Sequence, residues 1–177
     1  MFDKLIDLLI SVWNDFKPIV FVLEYRKGVF LRAGTFLKTV TPGWYFRIPF
    51  VDDYVSDIVM MDTMIIPDIT ITTFDNKTIS IGGTFDLEVE DIYKALILTN
   101  DWRSNLVDIS KGIISNDLED RTWEEINKKT TKNSIEKQIQ KRALEMGISI
   151  KNFNFTDKTI TKALKIFHLP NSNSANG

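Results

Sequence analysis

Cysteine is absent from the chain and histidine occurs once, at His168. The first absence excludes disulfides, thiolate metal sites and a cysteine nucleophile. The second removes most parts of histidine metal cages, catalytic triads and histidine general-base chemistry. A basic surplus is missing too: 22 Lys and Arg stand against 24 Asp and Glu, so nucleic acid is not the leading partner. No glycine-rich phosphate loop occurs, because Gly82-Gly83 lacks the helix start and the lysine that phosphate binding requires. The serines lack a nucleophile-elbow setting.

What is present suits one domain of ordinary size: 177 residues with 44% hydrophobic content are ample for a buried core. The formal charge of −2 hides an asymmetry. Residues 1–110 carry 10 Lys and Arg against 16 Asp and Glu, whereas residues 111–177 carry 12 against 8. This division either favours head-to-tail contact between copies or marks two solvated faces of opposite mean charge.

Residues 2–16 place Phe2, Leu5, Ile6, Leu9, Val12, Trp13 and Phe16 at helical spacing, with Asp3, Asp7, Ser11, Asn14 and Asp15 on the opposite side. The spacing predicts an amphipathic helix. It is not a transmembrane span, since about 20 predominantly apolar residues are needed and Asp7, Asn14, Asp15 and Lys17 break the run. Nor does it read as a signal peptide, because the start has no basic n-region. Its apolar face has two open fates, docking on the domain's own sheet or insertion at a bilayer surface. Pro18 stops the helix.

Strand material follows. Ile19 to Glu24 reads as a buried strand, Val29 to Arg32 as the next, and Thr35 to Val40 leads to the turn dipeptide Pro42-Gly43. Trp44 to Ile48 forms a short strand with Trp44, Phe46 and Ile48 on one face and Tyr45 and Arg47 on the other. Pro49 ends or edges it, and Asp52-Asp53 read as a turn. The expected arrangement is a meander from Ile19 to Val51. The aromatics around Pro49 are open to two readings, lipid contact or burial within the sheet.

Tyr54 to Ile66 suits one long strand or two short ones. Ile69 to Thr73 and Thr78 to Gly82 alternate strictly around Asp75-Asn76-Lys77, which is hairpin chemistry. Gly83 marks a bulge or a close approach, and Thr84 to Val89 alternates again. The period then changes. Asp91 caps a short helical turn, Trp102 to Leu118 keeps helical spacing, and Thr122 with Glu125 has capping-box spacing. A further helix runs from about Lys132 to Met146, closed by Gly147 at C′. Ile148 to Phe155 suits a final strand with a bulge between Ile150 and Phe153, and Asp157 or Thr159 caps a last helix through about Phe167.

Candidate chemistry is thin. Asp52-Asp53 and Glu90-Asp91 are adjacent carboxylates, but adjacent acids at turns are commonly solvated caps rather than an acid/base dyad. His168 suits a helix end, and Trp102-Arg103, at the start of an amphipathic helix, reads as core plus solvent. The residues make no positive case for an enzyme, a cofactor or a metal.

The order of features resembles the stomatin, prohibitin and flotillin superfamily, the SPFH or band-seven domains. The resemblance rests on Glu24-Tyr25, Gly28-Val29 and Leu31 to Phe36, then on Pro42-Gly43-Trp44-Tyr45-Phe46-Arg47-Ile48-Pro49-Phe50-Val51-Asp52, its most specific piece. Asp62, Thr72 with Asp75, Tyr93 to Leu96, Trp123 to Ile126 and Gly147 to Ile150 add to it. It spans residues 19 to about 166.

The resemblance implies an α+β fold, a curved and mainly antiparallel sheet packed with helices. It implies an organisation of a membrane-seating helix over 1–17, an SPFH-like domain over 18–168 and a polar flexible tail over 169–177. It further implies a non-enzymatic scaffold on a membrane surface, on the cytoplasmic face, that forms homo-oligomers or co-assembles with SPFH proteins and modulates membrane-anchored partners such as a protease. The residues expected against lipid are Phe2, Leu5, Ile6, Leu9, Trp13, Phe16, Trp44, Phe46 and Phe50. The family's long C-terminal coiled coil has no counterpart here, so the expected form is a minimal member. The other expectation is a soluble interaction module that binds or blocks an SPFH or membrane complex.

Overall fold

A computed structural model of the chain describes residues 18–161, together with Ile6. The predicted N-terminal helix, apart from Ile6, and the segment beyond Thr161, including His168 and the polar tail, lie outside the described residues.

Among the described residues eight strands form three hydrogen-bonded sheets, and every pairing is antiparallel. β1 (Ile19–Val22) pairs with β4 (Gly43–Phe46). β2 (Arg26–Arg32) lies between β3 (Thr35–Val40) and β5 (Asp52–Ile58). β7 (Thr78–Val89) lies between β6 (Asp62–Thr72) and β8 (Ile148–Ile160). Three α-helices accompany the last sheet: α1 (Trp102–Glu119), α2 (Trp123–Ile126) and α3 (Lys129–Glu145). The α+β architecture expected from the sequence is thus present.

The large core forms because β7 alternates without interruption. Ile79, Ile81, Phe85, Leu87 and Val89 all turn to one face, where Leu106, Ile114 and Leu118 of α1 and Ile135, Ile139 and Ala143 of α3 bury them. Burying a side chain of this size contributes about 1.5–3 kcal/mol, so this face carries most of the stability. A separate small cluster of Val22, Phe30 and Val40, flanked by Val20, Tyr45 and Tyr54, joins the β1–β4 pair to the β3-β2-β5 sheet.

Local signals hold where short-range chemistry decides. Thr73 accepts from the Lys77 N–H through its hydroxyl and Asn76 takes φ 55°, closing the β6–β7 hairpin. Thr122 and Glu125 form the reciprocal capping box at α2. Asp91 accepts from the Tyr93 and Lys94 N–H groups, opening a π-helical turn over Lys94–Leu98. The Ile150–Phe153 register change is a bulge: Leu87 faces Ile150 while Asp86 faces Asn152. A side chain on Gly83 would press on the Asn154 carbonyl and the Phe153 ring, so this glycine marks a close approach. Gly147 follows α3 at φ 80°.

Other expectations are corrected. β8 continues to Ile160, so Asp157 and Thr159 are strand residues and cap no helix; Lys158 and Thr159 pair with Ile81 and Ser80. The Ile19–Val51 segment is not a meander, because β1 skips β2 to pair with β4. The first strand is not buried: only Val22 is, while Ile19 and Phe21 are exposed. Asp52-Asp53 is no turn but the start of β5. Of the two readings left open for Tyr54 to Ile66, the two-strand one holds: Ile58 and Asp62 bound an interruption in the run.

Candidate functional site

The β1–β4 register sets Ile19 opposite Phe46 and Phe21 opposite Trp44. Side chains alternate across a strand, so these four share one face and Val20, Val22 and Tyr45 share the other. The inner face is covered: the Tyr45 ring lies 6.0 Å from Phe30, which lies 5.3 Å from Tyr54. The Tyr45 hydroxyl donates to the Thr41 carbonyl at 3.0 Å, and the Lys38 ammonium sits 5.2 Å from the Tyr45 ring. Nothing among the described residues covers the outer face, where Phe21 is 72%, Trp44 71% and Phe46 71% exposed. Contiguous exposed aromatics of this kind mark an interaction surface rather than a stray apolar residue.

A loop extends this surface. After Phe46 the chain passes Ile48 and Pro49 to Phe50, which is 87% exposed and sits at φ 66°, in the left-handed region that non-glycine residues rarely occupy. Asp52 holds the base of the loop. Its carboxylate accepts from Arg32 Nε at 2.7 Å, from Arg32 Nη2 at 3.1 Å and from the Ile48 N–H at 2.9 Å. The Arg32 hydrogen bond first, and the Ile48 N–H second, lower the Asp52 pKa to about 2. The Ala33 N–H donates to the Val51 carbonyl, and the Arg47 N–H to the Pro18 carbonyl, so the chain enters β1 beside this loop.

A second charged junction ties β5 to α1. Asp57 accepts from Arg103 Nη1 at 2.7 Å, Arg103 Nη2 at 3.1 Å and Trp102 Nε1 at 3.1 Å, and the Arg103 guanidinium stacks 4.3 Å from the Trp102 ring. Burial alone would raise the Asp57 pKa, but the bonds from Arg103, the Ile58 N–H and Trp102 outweigh it and hold the carboxyl below its usual range. Trp102 is buried, as the helix spacing implies, and Arg103 spans to the neighbouring sheet.

Of the residues expected against lipid, Trp44 and Phe46 share one exposed strand face, Phe50 is exposed in the loop that follows, and Ile6 is exposed. Phe2, Leu5, Leu9, Trp13 and Phe16 lie outside the described residues. Sequence reasoning missed Phe21, whose place opposite Trp44 depends on a pairing between strands about twenty residues apart. It also missed the Arg32–Asp52 clamp, for which the only local signal was an acid closing the Pro49-Phe50-Val51-Asp52 run. Ile48, assigned to the strand, instead lies past its end at Phe46. Among the described residues no group of three or more His, Cys, Asp or Glu is placed to hold a metal ion, and no helix is long and apolar enough to cross a membrane.

Three antiparallel sheets, one of them backed by helices, define an α+β domain with an aromatic ribbon and loop at one end. Residues 20–166 match the family described as SPFH domain / Band 7, and the chain belongs to it. The match covers most of the chain and contains the β1–β4 ribbon, the Phe50 loop and the Arg32–Asp52 clamp. Proteins of this family typically oligomerise and associate with membranes. The chain is also 25% identical over 103 residues to an uncharacterized protein of Methanocaldococcus jannaschii, across 58% of this chain and 52% of that protein. The match thus spans about half the length of that curated relative.

Proposed function

We propose that the protein is a membrane-associated scaffold that seats its β1–β4 ribbon and Phe50 loop on a bilayer surface and self-associates or co-assembles there with other SPFH proteins. The observation that carries this reading is the outer face of Phe21, Trp44 and Phe46, uncovered among the described residues and continued by Phe50. Trp and Phe side chains suit the headgroup boundary, where apolar rings meet a wet interface. Phe2, Leu5, Ile6, Leu9, Trp13 and Phe16 precede β1 in the sequence, and the Pro18 carbonyl, just before β1, accepts from the Arg47 N–H beside the same loop. Membrane-bound partners, including proteases, are restrained by the assembled scaffold rather than by a catalytic group.

Liposome flotation tests the seating. The full chain floats; a chain lacking residues 1–16 floats more weakly; a chain that also carries Trp44→Ser, Phe46→Ser and Phe50→Ser stays at the bottom. If the full chain fails to float with vesicles of either neutral or anionic composition, the proposal is wrong. If all three chains float equally, the aromatic surface is not the seat.

A further inference from the structure

β2 carries two arginines on one face, and β5 answers only one of them. Side chains alternate along a strand, so Arg26, Gly28, Phe30 and Arg32 share the face that Phe30 turns towards Val22 and Val40. Across the ladder these four meet Ile58, Ser56, Tyr54 and Asp52 in turn. At one end the Asp52 carboxylate closes on Arg32. At the other end Arg26 stands opposite Ile58, an aliphatic side chain that accepts nothing. The Arg26 Nε is buried and donates to no acceptor, and among the described residues its guanidinium enters no ion pair.

A buried N–H of a charged group left without an acceptor is costly, and in a folded protein it marks a partner still to be supplied. The rest of the chain shows which kind. Arg32, Arg103, Arg121 and Arg142 each meet a carboxylate, at 2.7, 2.7, 2.8 and 3.0 Å. The acids nearest in the ladder and in the chain do not serve Arg26: Asp57, next to Ile58 on β5, is taken by Arg103 and Trp102, and Glu24 is exposed and makes no ion pair with it.

The surroundings of Arg26 are apolar and open. Leu23 and Tyr25, in the turn that leads into β2, are exposed, as are Ile58 at the end of β5 and Met60 and Met61 in the connection to β6. Two backbone bonds fasten this turn and connection: the Arg26 N–H donates to the Leu23 carbonyl at 2.9 Å and the Val59 N–H to the Tyr25 carbonyl at 3.0 Å. Methionine side chains adapt to irregular apolar partners. A single guanidinium fork matches one carboxylate, and its apolar rim favours a carboxylate with hydrophobic neighbours over a freely hydrated ion.

We propose that this end of the β3-β2-β5 sheet docks an acidic peptide segment of a partner protein, with one carboxylate on Arg26 and its flanking apolar side chains on Leu23, Tyr25, Ile58 and Met60. The site lies on a different strand pair from the aromatic ribbon and is independent of the membrane seating proposed above.

The test is an NMR titration of the isotope-labelled full chain that reads the Arg26 Nε–H resonance. Two peptides serve as probes, acetyl-Leu-Glu-Leu-amide and its neutral counterpart acetyl-Leu-Gln-Leu-amide. The glutamate peptide shifts the Arg26 Nε–H saturably, together with the Tyr25 and Ile58 backbone amides, and the glutamine peptide binds about tenfold or more weakly. The Nε–H signals of Arg32 and Arg121, which already donate to Asp52 and Asp117, stay in place. Arg26→Gln abolishes the Tyr25 and Ile58 shifts without altering the circular dichroism spectrum, and Arg26→Lys, which keeps the charge but not the fork, binds more weakly than the wild type. The two-peptide comparison uses the wild type alone and so decides the matter even if Arg26→Gln does not fold. No saturable shift at Arg26, equal binding of the two peptides, or equal shifts at all three arginines overturns the proposal. Inorganic phosphate that displaces the glutamate peptide at equal concentration also overturns it, because the fork then serves a phosphoryl group; acetate that binds as well as the peptide does the same, because the apolar rim then contributes nothing.

Discussion

β7 and β4 each turn a phenylalanine to one face of a strand, yet the two rings end in opposite environments. Phe85 on β7 is 1% exposed beneath the helices, while Phe46 on β4 is 71% exposed. A strand's period decides which residues share a face; whether that face is covered depends on elements far away in sequence. Around β7 two long helices supply the cover. Around β4 the inner face is taken by Phe30 and Tyr54 and the outer face has no such cover among the described residues.

The largest separation of the two regions comes from Phe85→Ala, expected to destabilise the domain by about 3–5 kcal/mol in urea unfolding, because it leaves a cavity in a packed core. Trp44→Ala is the matched substitution in the exposed region, and a loss of comparable size there would erase the distinction. Asp57→Ala is next. It leaves Arg103 and the Trp102 N–H without their acceptor and lowers stability by about 1–3 kcal/mol. Because Asp57 joins β5 to α1, the urea transition of this variant also broadens as the two regions come apart.

Acid discriminates more finely. Asp52 has its pKa lowered to about 2 in the folded chain, so its contribution is complete above the ordinary carboxylate value and is lost as pH falls towards 2. Protection of the Ile48 amide, its exchange relative to the intrinsic rate at the same pH, is therefore expected to fall below about pH 4 while protection in the middle of β7 does not follow it. Asp52→Asn removes the pH dependence of that protection over the window. Loss of protection at β7 in step with Ile48 would mean that the two regions open as one. Asp75, lowered to about 2 by Lys77 and Thr73, titrates in the same window at the hairpin end of the backed sheet, so the comparison is made at Phe85 and Leu87, away from that end of β7.

The smallest change in stability belongs to the surface with the largest proposed role. Phe21→Ser, Trp44→Ser and Phe46→Ser each shift the urea midpoint little, by about 0.5 kcal/mol or less in stability, since their side chains are already in solvent. Flotation, by contrast, falls with each. A loss of stability as large as that of Phe85→Ala would show the outer face to be covered within the chain.

Much of the fold is legible in the sequence, because much of it is set within a few residues. Asp75-Asn76-Lys77, the Thr122–Glu125 box and Gly147 each satisfy their own backbone locally, and the sequence names them directly. What could not be read is pairing over longer spans. Nothing near Ile19 says that β1 will bypass β2 for β4, and nothing near Asp52 says that Arg32, twenty residues earlier, will reach it. β8 illustrates the same limit from the other side: Asp157 and Thr159 look like helix caps in isolation, but the length of β7 gives the strand a partner to Ile160. The aromatic face was half legible. Trp44 and Phe46 were placed together by their spacing, whereas Phe21 joined them only through register.

Phe50 holds its backbone where a Cβ is sterically penalised by about 1–2 kcal/mol, and the Arg32–Asp52 clamp is what fixes the loop on either side of it. The loop is consequently out of equilibrium with its own local preference. Replacing Phe50 with glycine would relax the backbone, partly offset by the greater freedom glycine has in the unfolded chain. Phe50→Gly therefore sets two opposed backbone effects against each other and removes the ring that the loop holds out into solvent.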